Sequence, residues 1–424
     1  MRIVNELPEL VENEVISADT AKAIEQYYAT RKVQGNSQMV IFGALGAILV
    51  GLGIILIFAH NWDDFSRVTR TILAIAPLVV FQILTGYSIL KNKSRVWKEA
   101  SGTLLFFSIG AAIALVGQIY NIPGSQGNFL LTWTLLGLPL LYLLSADTIA
   151  VLYLVFSTYY AVAIGYFNPH SPWMYLALIA AFVPYYRKKL RNQGAELYSA
   201  SVFNWMVPLS LTIALGAFIS GADEFGFVIY IAFLCLMYNI SRLPFFKAQL
   251  HGWNGYLHLG RIGIALLLLS TSFRWFWKSR LNAPLPEMHF VLIWLAFFIG
   301  ALYVAYVTAK GKYRFDWYQA VIVIFPVIYL MGTYNDLIPA VLNNLLVLCM
   351  GVAAIKEGAD RMDFSILNFG LLIISGLIIS RFFDTNMSFA VRGLLFIAVG
   401  AGFFLANYLV IKKKRINLTN RKQQ

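Results

Sequence analysis

The residues best equipped for chemistry in this chain stand in a few short polar clusters between long apolar runs. The densest is His60-Asn61-Trp62-Asp63-Asp64-Phe65-Ser66-Arg67, with Arg70 just after it. Gln118, Tyr120 and Asn121 close a later apolar run, and Tyr334, Asn335 and Asp336 close another. Near the C-terminus stand Arg381-Phe382-Phe383-Asp384 and then Arg392. Arginine forks onto carboxylate or phosphate and aspartate accepts an ammonium group. Together, Asp63, Asp64, Asp384, Arg67, Arg70, Arg381 and Arg392 could therefore hold a zwitterionic or anionic ligand. A structural account of the same residues is equally simple. Acids at a helix start are favoured by the dipole, a tryptophan anchors at a membrane surface, and arginines at helix ends snorkel. The pair Asp63-Asp64 also fits, loosely, the first outer loop of a lipid-phosphate glycosyltransferase, although a loop of this size has no room for the helices of such enzymes. Arg261, close to His258, is the charge set deepest in an apolar run, which makes it a candidate by position. No residues are assigned a catalytic role. No cofactor, metal spacing, glycine-rich phosphate loop, HExxH or GxSxG is found. The two cysteines, Cys235 and Cys349, lie in apolar runs and read as small hydrophobes.

The elements that must carry these residues are membrane helices. Of 424 residues 59% are apolar and 12% charged, against about 25% charged in an ordinary soluble protein. Mean hydropathy is +0.69. That composition excludes a soluble enzyme, a disordered chain and a secreted disulfide scaffold. The expected fold is all-α, with about fourteen transmembrane helices, the first over 39–59 and the last over 389–411. The shortest candidates are 172–186, 225–240 and 317–332. No signal peptide is expected, because the first apolar run follows an acidic polar segment.

The net charge of +13 reads as topology and not as nucleic-acid binding. With the N-terminus in the cytoplasm and strict alternation, 25 basic residues fall in inside segments and six in outside ones. Both termini are therefore expected in the cytoplasm. The outer side then carries Asp63, Asp64, Gln118, Tyr120, Asn121, Tyr334, Asn335 and Asp384.

Five regions are expected. Residues 1–38 form a cytoplasmic helical hairpin, with Ser17 as a cap for its second helix. It is a lead-in on the membrane surface, or a contact site for a membrane-protein partner or a second copy. Residues 39–186 and 256–411 form two six-helix repeats, 199–240 two linking helices, and 412–424 a basic tail. The repeat rests on echoes: Tyr120-Asn121 with Tyr334-Asn335, Trp62 with Trp275 and Trp277, and Arg95-Val96-Trp97 with Arg314-Phe315-Asp316-Trp317. The offset is eight spans, so both copies point the same way, as in many transporters. Gly43, Ala47 and Gly51 make a small-residue stripe in the first span. Gln82, Asn204, Asn343 and Asn344 are placed to bond between helices.

Gly53 to Asp63, with its His60-Asn61-Trp62-Asp63 end, the Gly117-Gln118-Ile119-Tyr120-Asn121 turn and the arm from Leu7 to Tyr28 resemble the bacterial predicted membrane proteins called domain of unknown function 2157. The resemblance covers roughly residues 1–150. Arg381-Phe382-Phe383-Asp384 with Arg392-Gly393 resembles a related membrane family whose pattern is Arg-Tyr-Phe-Asp, from which Phe382 departs. These resemblances imply a bacterial cytoplasmic (inner) membrane location and no established activity. The expected partners are membrane lipids. Three functions follow as expectations: a transporter or flippase of a small or lipid-linked envelope molecule, a non-catalytic scaffold or sensor, and a lipid-phosphate glycosyltransferase.

Overall fold

The computed structural model describes residues 7–32 apart from 9 and 14, then 62–166, 170–191, 197–243, 246, 254–281, 283–310 and 316–384, with single positions between 393 and 408. The expected first span, 39–59, with its Gly43, Ala47 and Gly51 stripe, lies outside the described residues, as does most of 389–411. Every regular element among the described residues is helical. Chain contacts divide into two compact units, residues 1–76 with 118–120, and 77–117 with 121–424.

The first unit contains α1, Ala18–Lys32. Ser17 starts it as expected: its Oγ accepts the Thr20 amide at 3.2 Å, satisfying one of the donors that a helix start leaves open. A single turn, Trp62–Asp64, leads into α2, Arg67–Leu90. Ser66 caps α2 by accepting the Thr69 amide at 3.2 Å.

The second unit is a helical bundle. Its elements are α3 Arg95–Ile119, α4 Gln126–Leu144, α5 Asp147–Gly165, α6 Met174–Arg191, α7 Leu197–Phe218, α8 Phe225–Ser241, α9 Gly255–Ser270, α10 Arg274–Leu281, α11 Met288–Lys310, α12 Trp317–Met331, α13 Leu337–Arg361 and α14 Phe364–Asp384. Eight described helices are long and apolar enough to cross a membrane, nine if α9 and α10 count as one bent span. Fourteen were expected. Three expected spans fall short: α8 and α12 are 17 and 15 residues, and α6 ends in Lys188, Lys189 and Arg191. These are the three that looked shortest in the sequence. Helix α8 can be short because it sits at the centre of the unit, packed by α9, α11 and α12. Residues on every side of it are buried, from Val228 to Tyr238. A helix apolar all round belongs in such a place.

The outer helices behave in the opposite way. Only 11% of the apolar window of α11 and 17% of that of α2 are buried by protein. Leu292, Ile299 and Tyr303 stand outward on α11. Apolar faces of this extent need hydrocarbon around them. Between α13 and α14 the backbones meet directly. A Cβ on Gly370 would stand 2.7 Å from both the Gly351 oxygen and the Ile355 nitrogen, so only glycine permits the approach.

Candidate functional site

Among the described residues, the second unit contains one broken span. Helix α9 stops at Ser270, and α10 leaves at 75° after a break of three residues. The local sequence explains the stop. Ser270 donates its hydroxyl to Leu266 O at 2.9 Å, Thr271 to Leu267 O at 2.9 Å and Ser272 to Leu269 O at 2.6 Å. Hydroxyls in a row compete for the carbonyls on which the helix depends. Arg274 and the rings of Phe273, Trp275 and Trp277 then suit a boundary better than a continued span.

A break inside hydrocarbon leaves backbone carbonyls open, each at a cost of several kcal/mol. Here α13 and α10 itself take them. Asn343 of α13 donates its Nδ2 to Leu268 O at 2.9 Å and to Thr271 Oγ1 at 3.2 Å. Asn344 donates to Ser272 O at 3.1 Å. Trp277 Nε1 reaches back to Thr271 O at 2.8 Å. Arg381 of α14 donates to Ser272 Oγ at 3.2 Å and lies over the Phe273 ring. Arg274 meets Asp336 at 2.8 Å, and that guanidinium holds the Asp336 carboxyl below its ordinary value. Three helices thus converge on the residues of one break. The donors of both asparagines are used, but their side-chain oxygens are buried with no hydrogen-bond partner among the described residues. Arg280, at the far end of α10, is also buried; its guanidinium lies 4.5 Å from the Tyr329 ring centre, and its Nε has no partner there.

The residues nominated from sequence are used in other ways. Arg70 holds the turn before α2 together: it donates to Phe65 O at 2.9 Å and Asp63 O at 2.8 Å, and pairs with the Asp63 carboxylate at 3.8 Å. Asp63 is almost fully exposed there, as are Asp64 and Arg67 to a lesser degree. Tyr120 is half exposed and shares a hydrogen bond of 3.1 Å with Thr71. Gln118 is exposed at the end of α3, and Asn121 takes a left-handed turn at φ 48°. Asn335 caps α13, accepting the amides of Leu337 and Ile338 at 2.7 and 2.9 Å, while Tyr334 points outward. The Asp384 side chain and Arg392 lie outside the described residues.

Sequence reasoning passed over two further clusters, each built on an aspartate at a helix start. Asp147 opens α5. It accepts Lys189 Nζ at 2.9 Å and the Tyr185 hydroxyl at 2.8 Å, both from α6, and pairs with Arg95 of α3. Glu99 adds a cap, accepting the Asp147 and Thr148 amides at 2.9 Å each. Asp316 precedes α12. It accepts the Tyr238 hydroxyl from α8 and, at 2.8 Å, Nη1 of Arg242, which caps the end of that helix. Arg261 enters this cluster over two rings, 5.6 Å from Tyr238 and 5.4 Å from Tyr318. An amide relay lies below: Gln319 donates to Asn239 Oδ1 at 2.8 Å, and Asn239 to Ala301 O at 2.9 Å. In both clusters a tyrosine and a cation stand four residues apart on one helix, a spacing that puts them on one face. That spacing was the available signal. Of the amides expected to bond between helices, Asn204 accepts from Tyr186 and Asn343 bridges α13 to α9, while Gln82 is exposed.

Residues 8–150 match the model of a family described as Predicted membrane protein (DUF2157). No curated protein and no solved structure matches the chain. The chain is a membrane protein with several apolar helices.

Proposed function

We propose that this membrane protein transports or flips a small or lipid-linked molecule of the bacterial envelope, with the broken span α9–α10 as its working element. The observation that carries the reading is the convergence of α13 and α14 side chains on the break: Asn343 and Asn344 donate to the Leu268 and Ser272 carbonyls, and Asn343 and Arg381 to the Thr271 and Ser272 hydroxyls. Interrupted spans supply substrate contacts in many transporters, because backbone groups otherwise locked in a helix become available. The two asparagine oxygens without donors among the described residues support the same reading, since buried orphan acceptors invite a hydroxyl, a water or an ammonium. The sequence echo of residues 39–186 in 256–411 agrees with a site in a repeated fold. An inner-membrane location with both termini in the cytoplasm completes the proposal, supported by the bias of basic residues.

A second reading is a non-transporting scaffold or sensor. It is favoured by the same bonds seen differently: Leu268, Thr271 and Ser272 already have protein donors, so the break can be static. One experiment separates the two. The purified full chain is placed in liposomes containing a fluorescent phospholipid, and exchange between leaflets is followed. The transport reading expects exchange faster than in protein-free liposomes, and loss of that rate in Asn344→Leu with the helical content retained. Exchange no faster than in empty liposomes, together with an unchanged envelope lipid profile in a deletion strain, would overturn it.

A further inference from the structure

A second feature of the bundle points to a ligand and does not depend on the transport reading. Helices α12 and α13 run antiparallel, joined at Gly332–Asp336, and leave a groove of about 400 Å³ between them. Trp317, Ile324, Val327 and Ile328 form one wall, Leu345 and Cys349 the other. Along α12 the lining extends from Trp317 to Met331, about 21 Å at the rise of a helix. That exceeds half of a hydrocarbon core of about 30 Å, so one leaflet's acyl chain fits along it. Trp317, Val327 and Leu345 are roughly half exposed, so the groove is open to the surroundings.

A cation stands beyond the Trp317 end of the groove. Lys356 lies seven residues beyond Cys349 and eleven beyond Leu345, on the same stripe of α13. It is exposed and forms no ion pair among the described residues. The acids nearby are mostly committed. Asp316 is held by Arg242 at 2.8 Å and Glu357 by Arg361 at 3.0 Å. Asp360, one turn past Lys356, is exposed and competes for it from the same face. Trp317 on the opposite wall is a side chain of the type that settles at headgroup level.

We propose that this groove binds one anionic phospholipid from the leaflet on the Trp317 side, with an acyl chain between α12 and α13 and the phosphate at Lys356. The apolar trough complements an acyl chain, and the exposed ammonium of Lys356 beyond it complements an anionic headgroup. A lysine near the headgroups contributes about 1 kcal/mol, which corresponds to a preference of about five-fold.

The test is native mass spectrometry of the purified full chain offered phosphatidylglycerol and phosphatidylcholine in equal amounts. Phosphatidylglycerol should be retained about five-fold over phosphatidylcholine. Lys356→Gln should bring the two to parity, Asp360→Asn should widen the preference, and Leu345→Trp should expel both by filling the groove. Soluble glycerol phosphate should not displace the lipid; if it does, a phosphate site without a chain groove is the answer and the proposal falls. Equal retention by the native chain overturns it too. So does unchanged retention in Leu345→Trp, which would assign the groove to another segment. So does a dimer, seen by light scattering, that Leu345→Trp dissociates.

Discussion

The Asp147 and Asp316 clusters use one device and balance it differently. In each, an aspartate at a helix start accepts a tyrosine hydroxyl and a cation from one turn of a neighbouring helix. Around Asp147 the charges match, with Arg95 and Lys189 against Asp147 and Glu99. Around Asp316 the second cation, Arg261, stacks on tyrosine rings instead of meeting the carboxylate. Lys189 retains only 6% of its side-chain surface, whereas Arg242 retains 15%. The first cluster sets charge against charge, and the second leans on aromatic faces. Burial should therefore make the first more sensitive to loss of its acid.

The largest expected effect is Asp147→Asn, which strands a buried ammonium. Removing one member of a buried pair costs about 3 kcal/mol or more. Thermal unfolding in detergent should register it, and adding Lys189→Met should restore most of the loss. If the double variant is no better than the single one, Lys189 is not what the acid compensates. Asp316→Asn should cost about 2 kcal/mol, less because Arg242 can turn toward water and the amide relay through Gln319 and Asn239 remains. An equal or larger loss there would erase the distinction between the clusters.

Arg261→Met should change stability by less than about 1 kcal/mol. It gives up attraction to two rings but removes a buried Nε that has no partner among the described residues. A much larger loss would mean that Arg261 serves the Asp316 charge directly. The smallest effect concerns a third aspartate at a helix start, Asp336, which is paired with Arg274. Its carboxyl is held below the ordinary value by that guanidinium. The pair's contribution is therefore present above the unfolded carboxylate value, near 4, and is lost as pH falls through the lower folded one. A shallow stability loss below about pH 4, absent in Arg274→Gln, is the expected signature.

Much of the fold was legible in the residues. Ser17 announced its cap, and the weakness of 172–186, 225–240 and 317–332 was visible in their length and charge. The alternation of basic loops also puts Arg95, Asp147 and Lys189 on one side, where the ion pairs join them. The candidate site was far less legible. Asp63 and Asp64 drew attention because they are adjacent and acidic, yet adjacency in a loop is cheap in water. Asn343 and Asn344 were expected to bond between helices, but their partners are carbonyls 72 to 75 residues away. Nothing in the run Ser270-Thr271-Ser272 reveals which helix will supply the donors.

The sequence by itself determined that the chain is helical and lives in a membrane, because apolar length and charge spacing act over one or two turns and need no partner. Tertiary structure alone decided which helices supply donors to the break between α9 and α10, which aspartate receives which cation, and which groove stays open. Those outcomes depend on buried polar groups finding one another across the bundle. In a medium without water each such group must be satisfied by whichever helix arrives beside it.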